Sequence, residues 1–308
     1  MREIKPNKKN IFSKFFIKIC RFFGFEIIDQ SNFAAPVSNK SLNESLSVPG
    51  KRSITLPLGE VKITRKVKSF DVILRTCMTV NMLTQSKKRI FEKEKEEYTK
   101  RTLVSIIKSI NHAKIKFKET KFKIYVIDHN SQNDQMNMLK NILNNSEIDF
   151  EIKTLDFNRY SKEIKKINEE NKEVTSNQKS NMSNIHQSIV LSKEKCEDLT
   201  YFVEDDYLHK LNAVSEILFA YEKFSSLINN ELIICPTDYP YLYTGANDTK
   251  VFMGENRHWR KIDQTLCSFV MSKKIINNYY EELISMCKFE HYPFEKPLHN
   301  IYKKELCI

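Results

Sequence analysis

Three short, mostly apolar runs frame this chain, because each stops abruptly on polar groups. Residues 70–74 end on Arg75 and Thr76, residues 122–127 on Asp128, His129, Asn130 and Ser131, and residues 199–203 on Glu204, Asp205 and Asp206. Runs of this length bounded by polar text suit strands covered on both faces, as in a parallel sheet. Between the first two, residues 92–113 carry Leu103, Ile106, Ile107 and Ile110 on one helical face with Lys, Glu and Arg elsewhere. Strand, helix, strand in this order builds a right-handed crossover, and ligands of such sheets sit at the carboxyl ends of the strands. That rule gathers Arg75, Thr76, Asp128, Asn130, Ser131 and the three acids along one edge.

The alternation continues beyond the first crossover. A helix is expected near residues 134–144, a strand near 150–155, and a helix over 181–192, where Met182, Ile185, Ile189 and Val190 share a face. Residues 161–180 are charged and rich in Asn and Ser, which suits either a helix or a mobile insertion. Further helices are expected over 212–224, 273–287 and 296–304, with a strand at 232–236 and a return hairpin or crossing strand within 251–271. The fold class is therefore α/β, a mostly parallel central sheet flanked by helices. Residues 237–243, Thr-Asp-Tyr-Pro-Tyr-Leu-Tyr, are polar and aromatic in a way that fits pocket lining or aromatic loop packing.

The N-terminal part reads differently. Residues 8–23 place Ile11, Phe12, Phe15, Phe16, Ile19, Phe22 and Phe23 at helical spacing, with Lys14, Lys18 and Arg21 on the opposite side. This is a basic amphipathic helix, too short and too charged to span a bilayer, suited either to an anionic membrane interface or to packing on the domain. Residues 1–30 are assigned to that helix and residues 31–53, rich in Ser, Asn and Pro, to a linker. Residues 54–308 form the domain, entered through a short hairpin or strand around Gly59.

Charge and cysteine usage narrow the function classes. Residues 1–69 hold 14 Lys/Arg against 5 Asp/Glu, a net of +9, and residues 70–308 hold 36 against 34. The basic excess of the chain is thus an N-terminal property, which disfavours a nucleic-acid groove across the fold. Seven cysteines without a C-x-x-C pair point away from a disulfide framework or zinc site and fit a reducing, cytoplasmic compartment. With five glycines there is neither G-x-G-x-x-G nor a Walker loop, so a Rossmann dehydrogenase and a P-loop kinase are set aside.

Three consecutive acids at a strand end repel one another unless positive charge is placed among them. A hard divalent ion, Mg²⁺ or Mn²⁺, takes carboxylate oxygens, waters and nucleotide phosphates, and would answer that need; a solvated acidic turn is the plain alternative.

The strand ending in Arg75-Thr76, the strand ending in Asp128-His129-Asn130-Ser131, the Asn-containing helix that follows and Glu204-Asp205-Asp206 together resemble a bacterial glycosyltransferase of the GT-A fold, the nucleotide-diphospho-sugar transferase fold of glycosyltransferase family 2, over about residues 70–275. The resemblance implies a D-x-D-type motif in the form Glu-Asp-Asp, with Asp206 as metal ligand and Asp205 as a donor contact that shares the ion. It further implies Asp128 as the nucleobase acid, Arg75 and Thr76 as the first donor-contacting turn, and Asn181 as a donor contact where relatives carry a glycine-rich segment. His258, Trp259, Arg260, Asp238 and Tyr239 are assigned to the acceptor or phosphate side. Transfer with inversion needs one base opposite the leaving diphosphate; Glu295, Glu290, Asp263 and His258 are candidates, and Glu295, after an aromatic turn, is the choice, with a plain helix N-terminal acid as its alternative.

The implied activity is metal-assisted sugar transfer from a nucleotide-sugar donor to a saccharide or lipid-linked acceptor in surface-glycan synthesis, in the cytoplasm and peripheral at the inner face of an anionic membrane. Two other classes remain open on the sequence. One is a nucleotidyltransferase, which usually carries a glycine-rich basic loop where this chain has Cys77-Met78-Thr79-Val80-Asn81. The other is a non-catalytic basic protein binding membrane or nucleic acid through its N-terminal arm.

Overall fold

The computed structural model describes residues 11–24, 62–79, 93–168, 170–237, 250–264 and 268–308. The chain divides into two units, Met1–Glu60 with Asp248–Val251, and Val61–Asn247 with Phe252–Ile308. In the first, helix α1 spans Ile11–Phe22, within the segment whose apolar spacing predicts it. The expected linker and most of the expected hairpin or strand around Gly59 lie outside the described residues.

The second unit is built on a five-stranded sheet in the order β3-β2-β1-β4-β7. Strands β1 (Ser69–Thr76), β2 (Lys121–Asp128), β3 (Asp149–Thr154) and β4 (Leu199–Glu204) are mutually parallel, and β7 (Phe269–Ser272) runs antiparallel to β4. Helices α2 (Lys95–Lys116), α3 (Asn133–Asn144), the single-turn α4 (Phe157–Tyr160) and α5 (Ser176–Lys195) connect the parallel strands. After β4 come α6 (Ala213–Ile228), the two-stranded ladder β5 (Val251–Met253) and β6 (His258–Arg260), then β7, α7 (Lys273–Asn278), α8 (Tyr280–Met286) and α9 (Lys296–Lys304). The α/β class and mostly parallel sheet expected from the sequence are observed.

Side-chain alternation along the strands divides the core in two. Phe70, Val72 and Leu74 of β1 point to the face covered by α2 and α6, with Leu103, Ile106, Ile110, Leu218 and Tyr221. Ile73 points to the other, with Ile127, Phe202, Met182, Ile189 from α5 and Leu298, Ile301 from α9. All eight β1 residues are buried, which is why Phe70, Val72, Ile73 and Leu74 are apolar on both faces, with Asp71 a buried exception among them.

The amino end of the sheet is tied by Arg65. Its guanidinium reaches Asp198, just before β4, and donates from Nε to Glu231 at 2.9 Å, while Tyr221 of α6 donates its hydroxyl to the same glutamate. These partners raise the Arg65 pKa although burial works against its charge. The result clamps the segment entering β1 onto β4 and α6.

Three elements differ from expectation. Residues 232–236 make isolated bridges at Ile233 and Ile234, to Cys307 and Val270, and no continuous strand. The expected helix over 273–287 breaks at Tyr279, whose φ of −114° leaves the helical region after Asn277 and Asn278, two weak helix formers. The undecided stretch 161–180 contains a 3₁₀ turn, Ser161–Glu163, and a bridge between Ile167 and Glu173. Helix α5 then starts five residues earlier than expected, because Thr175 and Gln178 form a reciprocal capping box.

Candidate active site at the carboxyl ends of the strands

The sheet order places a topological switch point between β1 and β4: from β1 the chain builds outward through β2 and β3, then crosses back to lay β4 on the other side. The two strands that flank the switch end in Arg75-Thr76 and Glu204-Asp205-Asp206, as the sequence predicts.

Register and pleat then sort the acids. Arg75 is paired with Glu204 across the β1–β4 ladder, and both lie on the α5 and α9 face because Ile73 and Phe202, two residues earlier, do. The guanidinium Nη2 donates to Glu204 Oε1 at 2.9 Å, and Nη1 donates to Asn181 Oδ1 of α5 at 3.2 Å. Arg75 is 6% exposed and Glu204 32%, so the pair opens to solvent through its acid.

Asp205, one residue on, turns to the α2 face. It is buried, ion-paired with Lys95 Nζ at 3.0 Å, and accepts from Thr99 Oγ1 at 2.9 Å and from the Cys77 backbone N–H at 3.4 Å. Asp206 is exposed in the turn after β4. The repulsion among these acids is thus relieved within the fold for the two that are buried or half-buried: Glu204 is paired with Arg75 and Asp205 with Lys95, on opposite faces of the sheet.

The neighbouring strand end is equally ordered. Thr76 donates to Asp128 Oδ1 at 2.8 Å, as their pairing across β1–β2 requires. Ser131 donates to the same carboxylate from its backbone N–H at 3.1 Å and its hydroxyl at 2.5 Å, and its own oxygen accepts from the Met78 N–H at 3.0 Å. An ionised carboxylate has about four acceptor sites, so Asp128 keeps capacity for one more donor. His129 stacks on Phe157 with ring centroids 5.2 Å apart and pairs through Nδ1 with Ser180 of α5 at 2.5 Å; burial lowers its pKa.

Glu295 is brought to this edge from the far end of the sequence. It stands at the N-cap of α9, is 5% exposed, and makes no side-chain capping bond. Burial pushes its carboxyl up to about 7, against a hydrogen bond from its own backbone, and the negative charge of Glu204 adds to the rise. A carboxyl poised there can accept a proton near neutral pH. Of the other base candidates, Glu290 lies 3.3 Å from Lys165, while Asp263 and His258 are exposed.

The structure therefore brings together Arg75, Asn181 and Glu204 on one face, with Glu295 within reach of the Glu204 charge, and joins Thr76 to Asp128 on the neighbouring strand end. It does not bring His258, Trp259 and Arg260 to this cluster. They form β6 and dock on α6, where Glu216 accepts from Trp259 Nε1 at 3.2 Å and from the N–H groups of Glu255 and Asn256 at 3.0 and 2.8 Å; Glu255 also pairs with Lys116 at the C-terminal end of α2. Asp238 and Tyr239 lie outside the described residues. The sequence does not single out Lys95 and Thr99, the partners of Asp205: Lys95 lies in the run Lys-Arg-Ile-Phe-Glu-Lys-Glu-Lys-Glu-Glu, where nothing marks one lysine from the next.

Among the described residues no three His, Cys, Asp or Glu side chains are gathered as a metal cage. Magnesium, however, is commonly held by one or two carboxylates together with substrate phosphates, and solvent-facing Asp206 at the switch point fits that donor chemistry.

No family model and no curated protein matches the chain. Among solved structures it is similar to S. aureus TarS, residues 1–349, at 12% identity and a TM-score of 0.37, over 68% of this chain and 48% of that one. It is also similar to the WbbM bifunctional glycosyltransferase in its apo structure, at 10% identity and a TM-score of 0.37, over 82% of this chain and 40% of that one. The chain spans less than half the length of either structure, and likeness at this level assigns no activity.

Proposed function

We propose that the chain is a glycosyltransferase that moves a sugar from a nucleotide-sugar donor to a saccharide or lipid-linked acceptor. One observation carries the reading: at the switch point of an open α/β sheet the buried Arg75 guanidinium is held by Glu204 and Asn181, and the buried carboxyl of Glu295, which burial raises to about 7, lies within reach of the Glu204 charge. The motif resemblance over residues 70–275 supplies the substrate class.

In this mechanism the nucleoside part of the donor lies across the ends of β1 and β2, where Asp128 offers its remaining acceptor site to the base. Arg75, fixed from two sides by Glu204 and Asn181, sets positive charge near the diphosphate without having to reorganise during the reaction. Glu295 takes the proton of the attacking acceptor hydroxyl, and its raised pKa suits that task at neutral pH. Glu204 holds Arg75 and adds its charge to the burial that keeps the Glu295 pKa high. Asp206 is the residue that would hold Mg²⁺ or Mn²⁺, and such an ion would offset the charge that develops on the departing diphosphate. Asp205 acts in this scheme through Lys95, Thr99 and Cys77, by fixing the turn that presents Asp206.

Titration calorimetry with UDP-, GDP- and CMP-sugars, with and without Mn²⁺, tests the reading on the parent chain and on Asp206→Ala. Metal-dependent binding of one donor, lost in the variant, is expected. Failure to bind any nucleotide under either condition would sink the proposal, and turnover of Glu295→Gln at the parent rate would remove Glu295 from its role.

A further inference from the structure

Helix α1 presents its large apolar side chains outward. Ile11, Phe12, Phe15, Phe16, Phe22 and Phe23 are between 61% and 86% exposed, and Ile19 is 39% exposed. At 100° per residue these positions fall on one continuous arc of the helix, and Lys14, Lys18 and Arg21, spaced by four and three residues, form a stripe beside it. Isolated surface apolar residues need no explanation, but a contiguous aromatic face of this extent marks a docking surface.

Charge identifies the occupant. Residues 1–23 hold Arg2, Lys5, Lys8, Lys9, Lys14, Lys18 and Arg21 against the single acid Glu3, whereas the chain from residue 70 onward is nearly balanced. A second copy of this chain would bring the same basic stripe against itself, and the balanced domain offers it no matching excess of acid. An anionic lipid surface matches both features, taking the rings into the acyl boundary while the long basic side chains reach the headgroups. Twelve residues rise only about 18 Å, short of the roughly 30 Å hydrocarbon layer, so the helix lies in the surface. In agreement, no helix among the described residues is long and apolar enough to cross a membrane.

We propose that α1 is an interfacial helix that docks the chain on an anionic phospholipid bilayer. The inference stands apart from the transferase reading, since it uses no residue of the sheet.

The test is co-sedimentation of the full chain with vesicles of phosphatidylcholine, with and without phosphatidylserine, for the parent and for the double variants Phe15→Ser/Phe16→Ser and Lys14→Gln/Lys18→Gln. Unchanged thermal midpoints control for the fold. The parent is expected to bind the anionic vesicles at least tenfold better than the neutral ones. Loss of two basic charges should weaken anionic binding roughly 30-fold, and loss of two rings at least as much. The proposal is overturned if the parent stays in the supernatant with both vesicles, or if the phenylalanine variant binds as well as the parent. It is equally overturned if, without lipid, the parent sediments as an oligomer that the phenylalanine variant returns to monomer, for then a second copy covers the face.

Discussion

Arg75 and Glu204 stand opposite each other on β1 and β4, and their 2.9 Å ion pair bridges the switch point of the sheet. Burial holds the Glu295 carboxyl up, near 7, and the Glu204 charge adds to that rise, so the acid of the pair also acts on the protonation of the proposed base. Glu204→Gln keeps an acceptor for Arg75 and removes that charge. The Glu295 pKa should fall, moving the acidic limb of the pH–rate profile to lower pH. A profile that does not move would separate Glu295 from Glu204, and a titration of carbon-labelled glutamate by NMR reads the same shift without turnover.

The two acids after Glu204 should respond to mutation in opposite ways. Asp205→Ala leaves Lys95 without its partner and Thr99 and the Cys77 N–H without their acceptor, in a buried place, and should cost about 3–5 kcal/mol of folding stability. Asp206→Ala acts on an exposed turn residue and should cost about 1 kcal/mol or less, while removing Mn²⁺-dependent donor binding. Urea unfolding of the two variants distinguishes them. Equal losses would mean that Asp206 is as structural as Asp205.

How much of this was legible beforehand depended on whether a signal was local. The strand ends carrying Arg75, Asp128 and Glu204 could be read because apolar runs stop there, and the register of a parallel sheet then forces Arg75 opposite Glu204. What could not be read was the direction of each acid: the pleat sends Glu204 to one face and Asp205 to the other, and a run of three acids shows no such division. Lys95 was hidden among equivalent lysines. The early start of α5 was legible in principle, since Thr175 and Gln178 spell a capping box, but the charged, Asn-rich text around it masked the signal. The docking of Trp259 on Glu216 joins residues 43 apart through a hairpin, which periodicity does not reach.

Two buried carboxyls give the fold a pH signature. Burial raises Asp71 from an ordinary value near 3.8 to about 6, and Glu295 from 4.5 to about 7. Both pKa values are higher in the folded than in the unfolded chain, so the folded state binds the extra protons. The corresponding stability is fully present below about pH 4 and is lost as pH rises through 6 and 7. Each group contributes on the order of 2–3 kcal/mol to that decline. Asp71→Asn and Glu295→Gln should each flatten the fall in urea stability between pH 4 and 7 relative to the parent; a variant whose curve parallels the parent's would show that its carboxyl is not the one titrating.

Trp259 is the single tryptophan of the chain, and its indole N–H is fixed on Glu216, so its fluorescence reports directly on how the β5–β6 hairpin is seated. Glu216 is 4% exposed and also accepts the N–H groups of Glu255 and Asn256; Glu216→Ala therefore strands three donors and should cost about 2–4 kcal/mol. Gly254 sits against the same carboxylate: a Cβ there would collide with Glu216 Oε1 and come within 2.7 Å of the Arg257 carbonyl oxygen and of Trp259 Nε1. Gly254→Ala should accordingly displace the hairpin nearly as effectively as loss of Glu216. Both variants are expected to red-shift the emission as the indole meets water, while the amide exchange of β1 and β4 stays protected, because neither residue touches the sheet ends. Emission unchanged from the parent in Gly254→Ala would mean that the hairpin moves as a unit without losing its anchor. Donor binding retained in both variants would separate His258, Trp259 and Arg260 from the cluster at Arg75.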